Sequence, residues 1–133
     1  VLIGFSYVAD NAFAMARKLA TLGVAVPLLI TIDPVTPPDV PDNVAECRNF
    51  YQSNGVMDVF PFFRGIPLKA EHPGRVKLIN TDIHTRADLD TPGSGHRTIA
   101  ASPKVHRAIV ELVLSLCPPH ESARPTTTRR SVD

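Results

Sequence analysis

The chain is poor in cysteine, with two among 133 residues, and its acids and bases nearly cancel at 13 against 14, a formal net charge of +1. Cys47 and Cys117 cannot make a disulfide framework, and neither has a neighbour at metal-ligand spacing. They read as buried free thiols, which fits a cytoplasmic protein. A near-neutral chain has no general electrostatic attraction to nucleic acid or to an anionic membrane. Arg124, Arg129 and Arg130 fall in a Pro/Thr-rich stretch that reads as a solvated tail. No apolar run is long enough for a membrane span, and no leader is visible. Because the chain opens directly on a strand-like run, a targeting segment upstream is compatible with the sequence. The glycines never form the G-x-G-x-x-G series of a phosphate cradle. Asp33, His72, His84 and His96 have no tight metal-ligand spacing. Neither a cofactor nor a metal is expected.

What is present is a modest core. Hydrophobic residues make up 44% of the chain, and this length supports one domain. Residues 1–3 (Val-Leu-Ile) are apolar and β-prone. Gly4 and Ser6 follow, and then a helical pattern over 9–22. Ala12, Phe13, Ala16, Leu19 and Ala20 share its inner face, Asp10 or Asn11 suits its first turn, and Gly23 stops it. Residues 24–32 are continuously apolar, the pattern of a strand buried on both faces. Pro27 would forfeit a ladder bond, so the strand proper is expected from Leu28. Strand, helix and strand make a βαβ unit, the mark of a parallel sheet flanked by helices.

Residues 36–41 carry three prolines and form a loop. Residues 43–53 are ambiguous between a helical stripe of Val44, Cys47 and Tyr51 and an alternating strand. Residues 54–73 look irregular and include Phe60, Phe62 and Phe63. A strand over 74–79 follows, then a polar loop over 81–95. The last helix spans 103–116, with Ser102 at its cap, Pro103 at its first position and an apolar face of Val105, Ile109, Leu112, Val113 and Leu116. Residues 1–117 are expected to be the folded domain, with 118–133 a disordered polar tail.

A serine at a sharp strand-to-helix turn has its hydroxyl lifted clear of the sheet, and the first N–H groups of the helix point back toward it. Gly4-Phe5-Ser6 resembles the nucleophile elbow of the α/β-hydrolases, in the lipase, esterase and thioesterase-like branch. Val8 stands where the G-x-S-x-G motif has its second glycine. The resemblance covers residues 1–116 and corresponds to the C-terminal half of that fold, without its N-terminal strands. It resolves the ambiguous segment as a short turn or helix over 43–45 and a strand over 46–52, because similar chains carry an Asn-aromatic-aromatic-Gln sequence there, here Asn49-Phe50-Tyr51-Gln52.

The resemblance implies a Ser-His-Asp triad in the chain order nucleophile, acid, histidine. Ser6 would be the nucleophile, and the Tyr7 N–H one oxyanion donor. Asp33, in an Asp-Pro pair after the second strand, would be the acid, with Asp82 its rival. His96 would be the base, since Gly95-His96 and the following Ile99, Ser102 and Pro103 resemble the His-x-x-Ile-x-x-Ser-Pro pattern of such enzymes. His84 is its rival. Phe60, Phe62 and Phe63 would either pack on the body or line an acyl pocket. The implied activity is cleavage of a carboxylic ester or thioester through an acyl-enzyme. Read without the resemblance, Ser6 is a helix cap, and the chain is a non-catalytic α/β domain acting by assembly or small-molecule binding. An exposed outer edge on the first strand would favour a homo-oligomer.

Overall fold

The computed structural model describes residues 1–53, 65–90, 93 and 95–117. Among them the chain forms β1 (Leu2–Phe5), α1 (Tyr7–Thr21), β2 (Val26–Ile32), β3 (Val44–Tyr51), β4 (Lys77–Asp82), a 3₁₀ turn (Ile83–Thr85), α2 (His96–Ile99) and α3 (Pro103–Ser115). The four strands make one sheet in the order β1-β2-β3-β4, every pair parallel. This is the mostly parallel α/β sheet flanked by helices that the βαβ pattern predicts.

Alternation along β2 divides the core. Leu29 faces α1 and packs with Phe13, Ala16 and Cys47. Leu28, Ile30 and Ile32 face α3 and pack with Phe50, Ile99, Val105 and Ile109. Burial on both faces is why β2 reads as unbroken hydrophobic sequence.

Several boundaries differ from expectation. Helix α1 starts at Tyr7 rather than residue 9, directly after Ser6, and Ala20 is exposed. Strand β2 begins at Val26, not Leu28. The Val26 N–H bonds to the Asn43 carbonyl at 2.8 Å, so β2 pairs with β3 from its first residue. Pro27 lies before the β1 ladder, which starts at Leu2 opposite Leu29. Strand β3 starts at Val44, so of the turn or helix expected over 43–45 only Asn43 lies in a turn, closed by the Val44 N–H bond to the Pro41 carbonyl at 3.1 Å. Strand β4 lies three residues later than expected, because its register sets Thr81 beside Phe50 and Asp82 beside Tyr51. Cys47 is buried, and burial pushes its thiol up to about 12, but Cys117 is exposed. Helix α3 buries Val105 and Ile109 while Leu116 stays 43% exposed, because its last turn lies outside the core.

One polar row crosses the sheet. The register aligns Gly4, Thr31, Asn49 and Asn80 on four successive strands. Thr31 Oγ1 donates to Asn49 Oδ1 at 2.9 Å, and Asn49 Nδ2 donates to Asn80 Oδ1 at 3.0 Å and to the Ile66 carbonyl at 3.1 Å. Asn80 also exchanges bonds with the Leu68 backbone at 2.7 and 3.1 Å. A buried polar group without a partner costs about 1–3 kcal/mol. Here the row is satisfied by itself and by the returning 66–68 segment, which it fastens to the α1 face of the sheet.

The outer edge of β1 is open among the described residues. Val1 and Ile3 are exposed along it, and so are Val8 and Met15 on α1 and Leu22 at its C-terminal cap, spaced seven apart. No described helix is long and apolar enough to cross a membrane.

Candidate active site

The sharp turn between β1 and α1 depends on Gly4. A Cβ at that position would lie 2.5 Å from the Ala9 Cα and 2.8 Å from the Ala9 nitrogen. Only glycine lets the first turn of α1 press against β1. Ser6 then turns the chain with φ 54° and ψ −132°, a conformation that costs an ordinary residue about 1–3 kcal/mol. It is held by the Ser6 N–H bond to the Ile32 carbonyl at 3.0 Å and by the Ala9 N–H bond to the Ser6 carbonyl at 2.9 Å. The Ser6 hydroxyl makes no capping bond to α1, so it does not do the work of a helix cap. Val8, at the motif's second glycine position, points outward and is 61% exposed.

Asp33 follows β2 at the same end of the sheet. Its φ is 46°, and it is only 1% exposed. Its N–H bonds to the Phe50 carbonyl at 2.8 Å. Just beyond it, Thr36 Oγ1 donates to Asp10 Oδ2 at 2.9 Å, which ties the Asp33 loop to the start of α1. Among the described residues, Ser6 and Asp33 are the two non-glycine positions with positive φ.

His96 opens the single turn of α2. The Gly95 N–H donates to Thr98 Oγ1 at 2.7 Å, and Ile99 is fully buried as the anchor of the turn. The imidazole stacks on the Phe5 ring, with centroids 5.3 Å apart and planes inclined by 30°.

These three elements bring the side chains together. Ser6 Oγ lies 2.8 Å from His96 Nε2, and His96 Nδ1 lies 2.7 Å from Asp33 Oδ2. With Asp33 ionised, Nδ1–H donates to the carboxylate and Nε2 is left to accept the serine proton. Burial raises the pKa of Asp33, while hydrogen bonds and charge from His96 and hydrogen bonds from the backbone and side chain of Gln52 pull it down. The net direction is upward, because withdrawal from water is the largest of these effects. The Tyr7 N–H belongs to the first N–H groups of α1, which no internal carbonyl can satisfy.

The other candidates sit elsewhere. Asp82 accepts from Ser53 Oγ and from the His84 N–H at 3.1 Å, capping the 3₁₀ turn. His84 Nδ1 meets Asp90 Oδ1 at 3.3 Å. His72 pairs with Asp42 at 2.9 Å, and His106 with the Ala100 carbonyl. None of these bonds reaches Ser6 or His96. Phe60, Phe62 and Phe63 lie outside the described residues. Among the described residues no group of three or more His, Cys, Asp or Glu side chains is gathered as metal ligands would be. A cleft of about 280 Å³ opens between Phe50, Leu89 and Leu112 on the α3 side, away from the three residues.

Two neighbours of the site escaped sequence reasoning. Phe5, the middle residue of Gly-x-Ser, carries the imidazole stack. Gln52, the first residue after β3, faces Asp33. Its signal was a polar side chain at the carboxyl end of a buried strand, where site residues of open α/β sheets gather. No protein-family model, curated protein or solved structure matches this chain.

Proposed function

We propose that the chain carries the catalytic half of an α/β-hydrolase-like serine hydrolase acting on a carboxylic ester or thioester. The observation that carries this reading is the hydrogen-bonded line from Ser6 through His96 to Asp33, at 2.8 and 2.7 Å. Support comes from the backbone: among the described residues, the two positive-φ positions outside glycine are the two ends of that line. Such strain persists where the surroundings over-determine it, and it clusters at functional sites.

In this reading Ser6 Oγ attacks the acyl carbon as its proton passes to His96 Nε2. Asp33 keeps Nδ1 protonated and stabilises the imidazolium. The Tyr7 N–H donates to the oxyanion. The imidazolium returns its proton to the departing alcohol or thiol. Water, deprotonated by His96, then releases the acid and restores Ser6. Phe60, Phe62 and Phe63 favour an apolar acyl group, and the free thiols fit a cytoplasmic setting.

The test is labelling with a fluorophosphonate probe. The wild-type protein is expected to label at Ser6, and Ser6→Ala to lose the label with its fold intact by circular dichroism. Labelling that persists in Ser6→Ala, or that is absent from wild type, removes the reading.

A second reading, assembly through the outer edge of β1, is favoured by the exposed Val1 and Ile3 and by the Val8, Met15 and Leu22 line beside them. An unpaired strand edge recruits another strand. Light scattering at micromolar concentration is expected to give the mass of a dimer, reduced to monomer by Met15→Lys. A monomeric wild type ends it.

A further inference from the structure

The two hydrogen bonds on His96 do not by themselves fix the tilt of its ring. Nε2 meets Ser6 Oγ at 2.8 Å and Nδ1 meets Asp33 Oδ2 at 2.7 Å. Both nitrogens bond in the plane of the imidazole. A tilt about the line joining them leaves the atoms in place but swings both bonding directions off their partners, and hydrogen bonds weaken steeply when bent. The face of the ring lies on Phe5, with centroids 5.3 Å apart and planes inclined by 30°.

Phe5 is itself placed from two directions. Its backbone closes β1, in register with Ile32 of β2. Its side chain packs against the core cluster on the α3 side, which contains Ile32, Ile99 and Val105. Ile99 is the buried residue of α2, three positions after His96. The phenyl ring and the turn that carries the imidazole are thus seated on the same apolar cluster. Phe5 also immediately precedes Ser6, and its register partner Ile32 immediately precedes Asp33. One residue therefore ties the whole line to the ends of β1 and β2: Ser6 through the chain, Asp33 through the strand pairing, His96 through the stack.

We propose that Phe5 is a positioning residue that sets the plane of the His96 imidazole between Ser6 and Asp33. This rests on the serine hydrolase reading of the site. Aromatic pairs favour offset-stacked or edge-to-face arrangements with centroids about 4.5–7 Å apart, and this pair lies inside that range. A flat face restrains tilt in a way that an aliphatic side chain of similar bulk does not. The contact gains a second role once the reaction starts. When Nε2 takes the serine proton the imidazole becomes a cation, and a cation within about 6 Å of an aromatic centroid is attracted to the ring face. The stack then acts most strongly on the state in which the imidazolium forms, so its effect belongs in kcat and not in KM.

The test uses the whole chain with Phe5→Leu and Phe5→Met, which keep apolar bulk and remove the face, and Phe5→Tyr, which restores the face. Ester turnover is measured beside the proton NMR spectrum at one fixed pH. In wild type, cross-relaxation is expected between the ring protons of Phe5 and those of His96, the latter assigned by their loss in His96→Gln. In Phe5→Leu and Phe5→Met the Nδ1 proton bonded to Asp33 is expected to move or broaden. Their kcat falls about 10-fold with little change in KM, as misplacement of a catalytic group does. Phe5→Tyr returns both the resonance and the turnover to near wild type. If wild type neither labels nor turns over, the hydrolase reading fails, while the cross-relaxation and the Nδ1 proton still decide whether Phe5 orients the ring. Absence of cross-relaxation in wild type overturns the proposal, and that measurement needs no variant to fold. So does an Nδ1 proton unchanged in a folded Phe5→Leu or Phe5→Met. A loss of turnover that Phe5→Tyr shares also overturns it, since that would follow packing and not the aromatic face.

Discussion

Asp33→Asn is expected to lower kcat for ester hydrolysis by about 10,000-fold while the protein folds and melts much as wild type does. The size follows from the tautomer. An asparagine beside His96 can turn its amide nitrogen toward Nδ1, and the imidazole then keeps its proton on Nε2, where Ser6 needs an acceptor. The Ser6–His96 distance of 2.8 Å would survive with its direction reversed, and a general base would be lost without a change of shape. The substitution is well suited to this position. The φ of 46° at residue 33 lies in the left-handed region, which asparagine tolerates about as well as aspartate. The backbone bond from residue 33 to the Phe50 carbonyl needs no side chain. The variant also removes a buried carboxylate whose ionised form is disfavoured by its surroundings, so little stability at neutral pH depends on its charge. Turnover and thermal melting, measured on the same preparation, separate the outcomes. A fall in kcat of less than tenfold with the fold intact would mean that Asp33 does not orient the base. A fall accompanied by early melting would mean that the residue serves the fold instead.

The architecture was readable because its signals are local. Continuous burial writes β2 as an unbroken apolar run, and the small residues Ala12 and Ala16 mark the helix face that lies close on the sheet. The meeting of Ser6, Asp33 and His96 was expected from the resemblance to the α/β-hydrolase chain order, which chose His96; only Ser6 and Asp33 follow strands, and a parallel sheet delivers the residue after each strand to one rim. What escaped depends on pairing between distant segments. Pro27 looked like a strand breaker, yet β2 pairs with β3 on both sides of it, at Val26 and at Leu28. Residues 44 and 45 carry no local mark of a strand and join one because Val44 pairs with Val26. The turn that holds His96 is four residues long, too short for a periodic pattern, and it owes its place to Ile99 in the core. Gln52 and Gly65 are 13 positions apart, and neither means anything to the site until the backbone of one lies on the other. Local chemistry could name the groups that meet, but not the ones packed around them.

The largest effect on the fold is expected at Gly4. Gly4→Ala adds one methyl group, yet the atoms in its way are the Ala9 Cα at 2.5 Å, the Ala9 nitrogen at 2.8 Å and the Val8 carbonyl oxygen at 2.8 Å. All three are backbone, and none can rotate aside as a side chain would. Strand β1 and helix α1 must separate by about an ångström, which spreads the contacts among Leu2, Phe13 and Leu29 in the core. Overpacking of side chains costs about 1–3 kcal/mol, and a rigid backbone obstacle belongs at or above the top of that range. For a domain of this size the corresponding fall in Tm is about 10 °C or more. The same displacement carries Ser6 away from His96, so fluorophosphonate labelling is lost in whatever protein remains folded. Val8→Gly is the informative partner. It restores the glycine that the elbow motif has, but Val8 is 61% exposed and outside both core clusters. Its removal therefore relieves no clash and costs only helix propensity, about 1 kcal/mol or less in the first turn. Melting followed by circular dichroism and probe labelling of both variants give opposite patterns if the turn geometry is what presents the serine. A Gly4→Ala protein that melts and labels like wild type would mean that the close approach of α1 to β1 is not what holds Ser6 against His96.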